Sequence, residues 1–300
     1  MASFRKIVFY TLCVLCLMAC ETEEPVPSSL VVEGWIDAGK PPVVLLHKSY
    51  PLNFNDTNAS LQSMIEEQLV LFGRVAIFDG TDSVVLTGRL DTNYMPPYIY
   101  TTTEMEGVVG KTYTLLAHYK GYDASAKTTI PKVARFDSIR VEEILPNQMR
   151  LTGYMSGVER DGCFLLMARK IEDKQYKLCP FGVFSGEQAT NGRMAVTIYC
   201  PDFSKIGLEP DSIKKEESFI PAMTFPKSSE QGYSIKLARI DRTSYLYWDQ
   251  YMAQKSTQGV LFMSVYKNLP SNIENGLGIW SGFGSTTYNL RPSQTKTFVY

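Results

Sequence analysis

The stretch Gly73-Arg74-Val75-Ala76-Ile77-Phe78-Asp79-Gly80-Thr81-Asp82-Ser83-Val84-Val85-Leu86 decides the fold class. Two runs rich in β-branched residues flank Asp79-Gly80, a dipeptide suited to the positive φ angles of a tight hairpin turn. Gly73 to Phe78 is therefore expected as a strand, and Ser83 to Leu90 as its partner.

The same signals extend in both directions. Upstream, Leu30 to Ile36 reads as a strand, and Pro41-Pro42 opens a second one, Val43 to Lys48. Leu61 to Leu69, with Gln62, Met64, Glu66 and Glu67, has enough helix formers for a short helix. Downstream, Tyr98 to Thr103, Thr112 to Tyr119 and Ala124 to Ile130 are strands, set apart by Gly110-Lys111 and Gly121-Tyr122. About seven short strands in roughly 100 residues make residues 30–132 an immunoglobulin-like β-sandwich. The Cys…Trp…Cys pattern of antibody domains is missing, so this likeness is architectural and carries no function.

Pro131-Lys132 marks the junction to a larger β-rich domain over residues 133–300, a sandwich or barrel-like fold. Its expected strands are Asp137 to Ile144, Arg150 to Met155, Cys163 to Ile171, Tyr176 to Phe184, Met194 to Cys200 and Tyr233 to Ile240. A helix is expected near 243–256, capped by Asp241 or Thr243 and ended by Gly259. Tyr245, Trp248 and Met252 share one face of it, widened by Tyr247 and Tyr251, and that stripe is expected to pack on a sheet. Leu277 to Phe283 is a glycine-rich strand, with Thr286 to Leu290 and Thr295 to Tyr300 closing the fold. The chain as a whole is mainly β with one packed helix.

The N-terminus carries an address. Arg5 and Lys6 precede twelve residues, Ile7 to Met18, in which only Tyr10 and Thr11 are polar. Such a run is too short to span a ~30 Å hydrocarbon core and suits a signal peptide. Leu17-Met18-Ala19-Cys20 then reads as a lipoprotein processing box. A small residue lets the peptidase approach, and the Cys20 thiol is the nucleophile that takes lipid. Residues 1–19 are expected to be the signal peptide and residues 20–29 a lipidated tether. Acidic Glu21, Glu23 and Glu24 with Pro25 and Pro27 cannot build a core. The protein is expected to be held at a membrane through lipid on Cys20, and the acidic run after it resembles an export signal to the cell surface, with a plain solvated linker as the alternative.

Composition narrows the partners. Of 30 basic side chains in the sequence, the signal removes Arg5 and Lys6, leaving 28 against 31 acidic, a balance of −3. That argues against nucleic acid, which calls for a clustered basic excess. Cys163, Cys179 and Cys200 remain after Cys20, and buried thiols are expected, with one bridge among them as the alternative. The two histidines, His47 and His118, permit no HExxH zinc site and are expected as packing residues able to face each other across a sheet. Gly276-x-Gly278-x-x-Ser281 resembles a dinucleotide loop, but β-type residues follow where a helix is required, so its glycines are expected to serve a turn, a bulge or close backbone packing. Glu142 and Glu143 point to opposite faces of a strand and cannot pair for acid–base work. Asp79, Asp82 and Asp91 fit turn chemistry better than calcium. No catalytic, metal or cofactor-binding residue is expected, and the ligand is left unnamed.

Leu30 to Ile36, Gly121-Tyr122 with Ala126 and Pro131, the helix Tyr245 to Gln254, and Ser271-Asn272-Ile273 through Gly276-Leu277-Gly278 lie in an order that resembles a known family. It is the Bacteroidota outer-membrane lipoprotein family numbered four-two-four-nine in the domain-of-unknown-function series. The resemblance implies a two-part, mostly β lipoprotein and genomic company with TonB-dependent outer-membrane receptors. The expected role is a non-enzymatic accessory or ligand-capture component of TonB-dependent uptake. The alternatives are a structural or adhesive envelope lipoprotein, or a hydrolase with hidden carboxylates.

Overall fold

A computed structural model describes residues 29–49, 69–94, 96–145, 148–198, 225–226, 232–257, 269–290 and 296–299. The expected helix over 61–69, except Leu69, lies outside them, as do Cys20 and Cys200. The chain is mainly β, as the sequence suggests.

The strands are β1 (Leu30–Asp37), β2 (Val43–Lys48), β3 (Arg74–Phe78), β4 (Ser83–Val85), β5 (Thr87–Leu90), β6 (Tyr98–Thr101), β7 (Thr112–Tyr119) and β8 (Tyr122–Thr129). After Pro131 come β9 (Ser138–Leu145), β10 (Gln148–Met155), β11 (Cys163–Lys170), β12 (Lys177–Ser185), β13 (Met194–Ile198), β14 (Phe225–Pro226), β15 (Tyr233–Ile240), β16 (Leu277–Leu290) and β17 (Lys296–Val299). Helix α1 spans Arg242–Thr257.

Three sheets arise. A long one runs β12-β11-β15-β16-β1-β2-β6-β5, a second β13-β10-β9-β17 with β14 beside β10, and a third β4-β3-β7-β8. The third covers one half of the long sheet, burying Leu30, Val32, Ile36, Tyr100, Tyr113, Leu115 and Trp280. The second covers the other half, burying Phe136, Val141, Leu151, Phe164, Leu166, Leu237 and Tyr288. Both are sandwiches with open sheets, so the barrel-like alternative falls away.

Local chemistry explains most of the turns. Both residues of Lys120-Gly121 and of Asn191-Gly192 have positive φ, the requirement of a two-residue hairpin. The Asp79 turn is longer: its carboxylate accepts the N–H groups of Thr81 and Asp82 at 2.9 Å and meets Lys111 at 2.5 Å. Ser83 to Leu90 departs from expectation. Instead of one strand, it pairs with β3 as β4 and with β6 as β5. Leu86, between them, turns into the core and donates its N–H to Val75 at 2.8 Å. A strand that changes sheet at a buried residue is how a sandwich makes a corner.

The expected strands over 277–283 and 286–290 are one strand, and β16 joins the two halves of the molecule. Leu277 to Phe283 pair in parallel with β1, and Gly284 to Leu290 pair antiparallel with β15. The segment Thr129–Lys132 crosses directly over this handover. A Cβ on Gly282 would lie 2.8 Å from the Thr129 carbonyl oxygen, and one on Gly284 would collide with Pro131. Gly282 and Gly284 thus let one backbone lie flat on another.

Helix α1 packs on the opposite face of the long sheet. Asp241 caps it, accepting the Ser244 N–H at 2.8 Å, and the Ser244 and Ser281 hydroxyls meet at 2.7 Å. Tyr245 and Trp248 pack with Cys163, Leu165, Ile240 and Phe283. Cys163 is a buried free thiol there, whereas Cys179 lies in the core on the other face, so these two do not bridge. Among the described residues, no helix is long and apolar enough to cross a membrane.

Candidate functional site

β1 alternates strictly. Leu30, Val32, Gly34 and Ile36 face the sandwich core, and Glu33, Trp35 and Asp37 face the helix side. The register places Ser281, Phe283, Ser285, Thr287 and Asn289 of β16 on that side, with Ser234, Lys236 and Ala238 of β15. A polar row from three strands is therefore assembled by pairing alone.

Its centre is an ion pair. Asp37 is 1% exposed and Lys236 5%, and their charged atoms lie 2.6 Å apart. The Ser285 hydroxyl donates to the other Asp37 oxygen at 2.6 Å, and Lys40 approaches at 3.0 Å. The remaining environment of the Lys236 ammonium is aromatic, with Phe283 and Tyr176 rings at 5.1 and 5.7 Å. Burial pushes the Asp37 carboxyl up, but the Lys236 charge and hydrogen bond, Ser285 and Lys40 outweigh it and hold the group below the usual carboxylate range. Burial, with the Lys40 charge, holds the Lys236 ammonium below the usual lysine range, and Asp37 opposes that fall only in part.

Loops from the two edge hairpins close over this centre. Tyr176, between β11 and β12, hydrogen-bonds Ser234 at 2.7 Å and stacks under Arg169 at 5.0 Å. Its neighbour Gln175 hydrogen-bonds Tyr94 of the β5–β6 loop, which packs on Trp35 with ring centroids 6.1 Å apart. The Arg169 guanidinium is itself held by the carbonyls of Ile171 and Asp173.

A second cluster lies under α1. Buried Tyr247 donates to the Glu33 carboxylate at 3.3 Å. Burial raises the Glu33 pKa and the Tyr247 bond opposes that rise, while burial and the Glu33 charge raise both Tyr247 and Tyr251. Nearby on β2, His47 is driven down to about 4 by burial, and its Nδ1 has no partner among the described residues. The Trp248 indole N–H is likewise unpartnered there.

The two histidines do not face each other. His47 is in the long sheet, and His118 is on the outer face of the third sheet, 2.7 Å from Asp123. Glu142 pairs with Arg140 and Arg150 at the surface. Among the described residues, no three His, Cys, Asp or Glu side chains gather as metal ligands. A depression of about 220 Å³ lined by Val158, Arg160, Gly186, Glu187, Ala189 and Gly192 contains none of the groups above.

Sequence reasoning missed the Asp37–Lys236 centre. The one available signal was Tyr233 to Ile240, whose alternation put Ser234 and Lys236 on a side that reads as solvent, although nearly every residue of β15 is buried.

No curated protein matches the chain. Residues 19–289 match the family described as Domain of unknown function (DUF4249), and the chain belongs to that family.

Proposed function

We propose that this is a non-enzymatic outer-membrane lipoprotein, held through lipid on Cys20, that serves as an accessory or ligand-capture component of TonB-dependent uptake. The observation that carries the non-enzymatic part is the saturation of the Asp37–Lys236 centre. Asp37 accepts from Lys236, Lys40 and Ser285, and Lys236 is enclosed by aromatic rings. An acid–base pair at work needs a group free to meet substrate; this pair ties three strands together instead. The Glu33–Tyr247 contact is also internal, under α1. The anchor rests on Leu17-Met18-Ala19-Cys20 and on the acidic, proline-bearing run after it. Uptake is favoured over a purely structural role by the resemblance to lipoproteins that keep genomic company with TonB-dependent outer-membrane receptors.

Fractionation of cells expressing Cys20→Ala tests the anchor. The variant is expected to be missing from the outer membrane, where the wild-type chain is recovered, because the box without its thiol takes no lipid. An unlipidated variant that still reaches the outer membrane would overturn the assignment.

A further inference from the structure

Phe72 is 89% exposed and has a φ of +61°, a backbone conformation that bulky residues rarely adopt. Its neighbour Leu71 is 38% exposed. The tip is held from beneath by buried Tyr100, whose hydroxyl accepts the Gly73 N–H at 2.8 Å and donates to the Val70 carbonyl at 2.9 Å. An exposed aromatic on a rigid, strained turn is a presented group.

Its position in the fold gives it a direction. Leu69 bridges to His47, which pairs with Val31, so the tip lies at the N-terminal end of β1. Arg74 pairs with His118 beside it, which brings the exposed β7–β8 turn with Lys120 to the same end. Tyr122 and Leu277, 38% and 42% exposed, also lie there. Two acids are close by, but Asp123 pairs with His118 and Glu274 accepts from Ser125. Arg74 and Lys120 form no ion pair among the described residues.

The tether leaves from this end as well. Residues 21–28 separate Cys20 from Ser29, and a fully extended run of that length reaches at most about 30 Å. We infer that Leu71 and Phe72 insert into the headgroup region of the bilayer that holds Cys20, with Arg74 and Lys120 on anionic headgroups, so that the folded part stands upright on the membrane. Aromatic and aliphatic tips flanked by basic side chains suit that boundary. The inference rests on the anchor proposed above and adds an orientation to it.

The test uses the lipidated protein in phosphatidylethanolamine–phosphatidylglycerol vesicles with brominated acyl chains. Phe72→Trp and, as a second reporter, Leu71→Trp are compared with Val108→Trp. Val108 is exposed and follows Gly107, which packs against Asp37 at the far end of β1. After subtraction of the wild-type emission, the tip reporters are expected to be quenched about threefold more strongly than Trp at 108, because an indole at the interface lies near the acyl chains. Arg74→Glu with Lys120→Glu should reduce that quenching. Flotation with the vesicles but quenching equal to the 108 control would overturn the inference alone. Failure to float would overturn the anchor, and this inference with it.

Discussion

Asp37 and Lys236 meet at 2.6 Å across a strand that belongs to neither. Asp37 is opposite Phe283, the last β16 residue paired with β1, and Lys236 is opposite Thr287, within the part paired with β15. The ion pair therefore closes over the point where the long sheet changes partners. It links the first strand of the fold to the half of the molecule furthest from it in sequence.

Removing one member leaves the other buried and uncompensated, so Asp37→Leu or Lys236→Met alone should each cost about 3–5 kcal/mol. Asp37→Leu combined with Lys236→Met should recover most of that loss. Urea unfolding of the singles and the double gives the coupling. Additive losses would contradict the lock.

Acid should act through His47. Burial holds its folded pKa at about 4, below the usual imidazole value of 6.5, so the unfolded chain binds the proton first. Stability is then complete above pH 6.5 and falls as pH drops toward 4, by at most about 3 kcal/mol. His47→Gln should flatten the urea midpoint over that window. An unchanged slope would show that another group carries the effect.

Glu33 works in the opposite sense. Burial raises its pKa, so its ionisation favours the unfolded chain as pH rises above 4.5. Glu33→Gln keeps an acceptor for Tyr247 and should raise the urea midpoint at pH 7, with little change near pH 4. A lower midpoint at pH 7 would contradict this account of the cluster.

Tyr100→Phe removes the hydroxyl shared by Gly73 and Val70. A cost of about 1–3 kcal/mol is expected from the orphaned backbone groups. Amide exchange at Gly73 should accelerate more than exchange in β7, and uniform acceleration would argue against local control of the tip.

Much of the fold was legible because it is local. Gly121-Tyr122 and the capped helix announce themselves in neighbouring residues, and β1, β2, β7 and β15 fall where their patterns place them. The continuity of β16 was not legible. Gly284 and Ser285 read as a break between strands, and only the crossing of Thr129–Lys132 explains why small residues sit inside one. The split at Leu86 was hidden for a related reason, since nothing within Ser83 to Leu90 says which sheet each half will join. Asp37–Lys236 lay furthest from view. A lysine at an alternating position reads as solvated, and its carboxylate partner lies at the other end of the chain. Pairing across β16, not local pattern, buries them together.

The central claim is a tethered, non-enzymatic partner of an uptake receptor. Purification of the lipidated chain from outer membranes in mild detergent, followed by mass spectrometry of what accompanies it, tests that claim most directly. The account predicts a TonB-dependent receptor in near-equal amount, lost with Cys20→Ala. Repeated recovery of the lipidated protein with no receptor would contradict it.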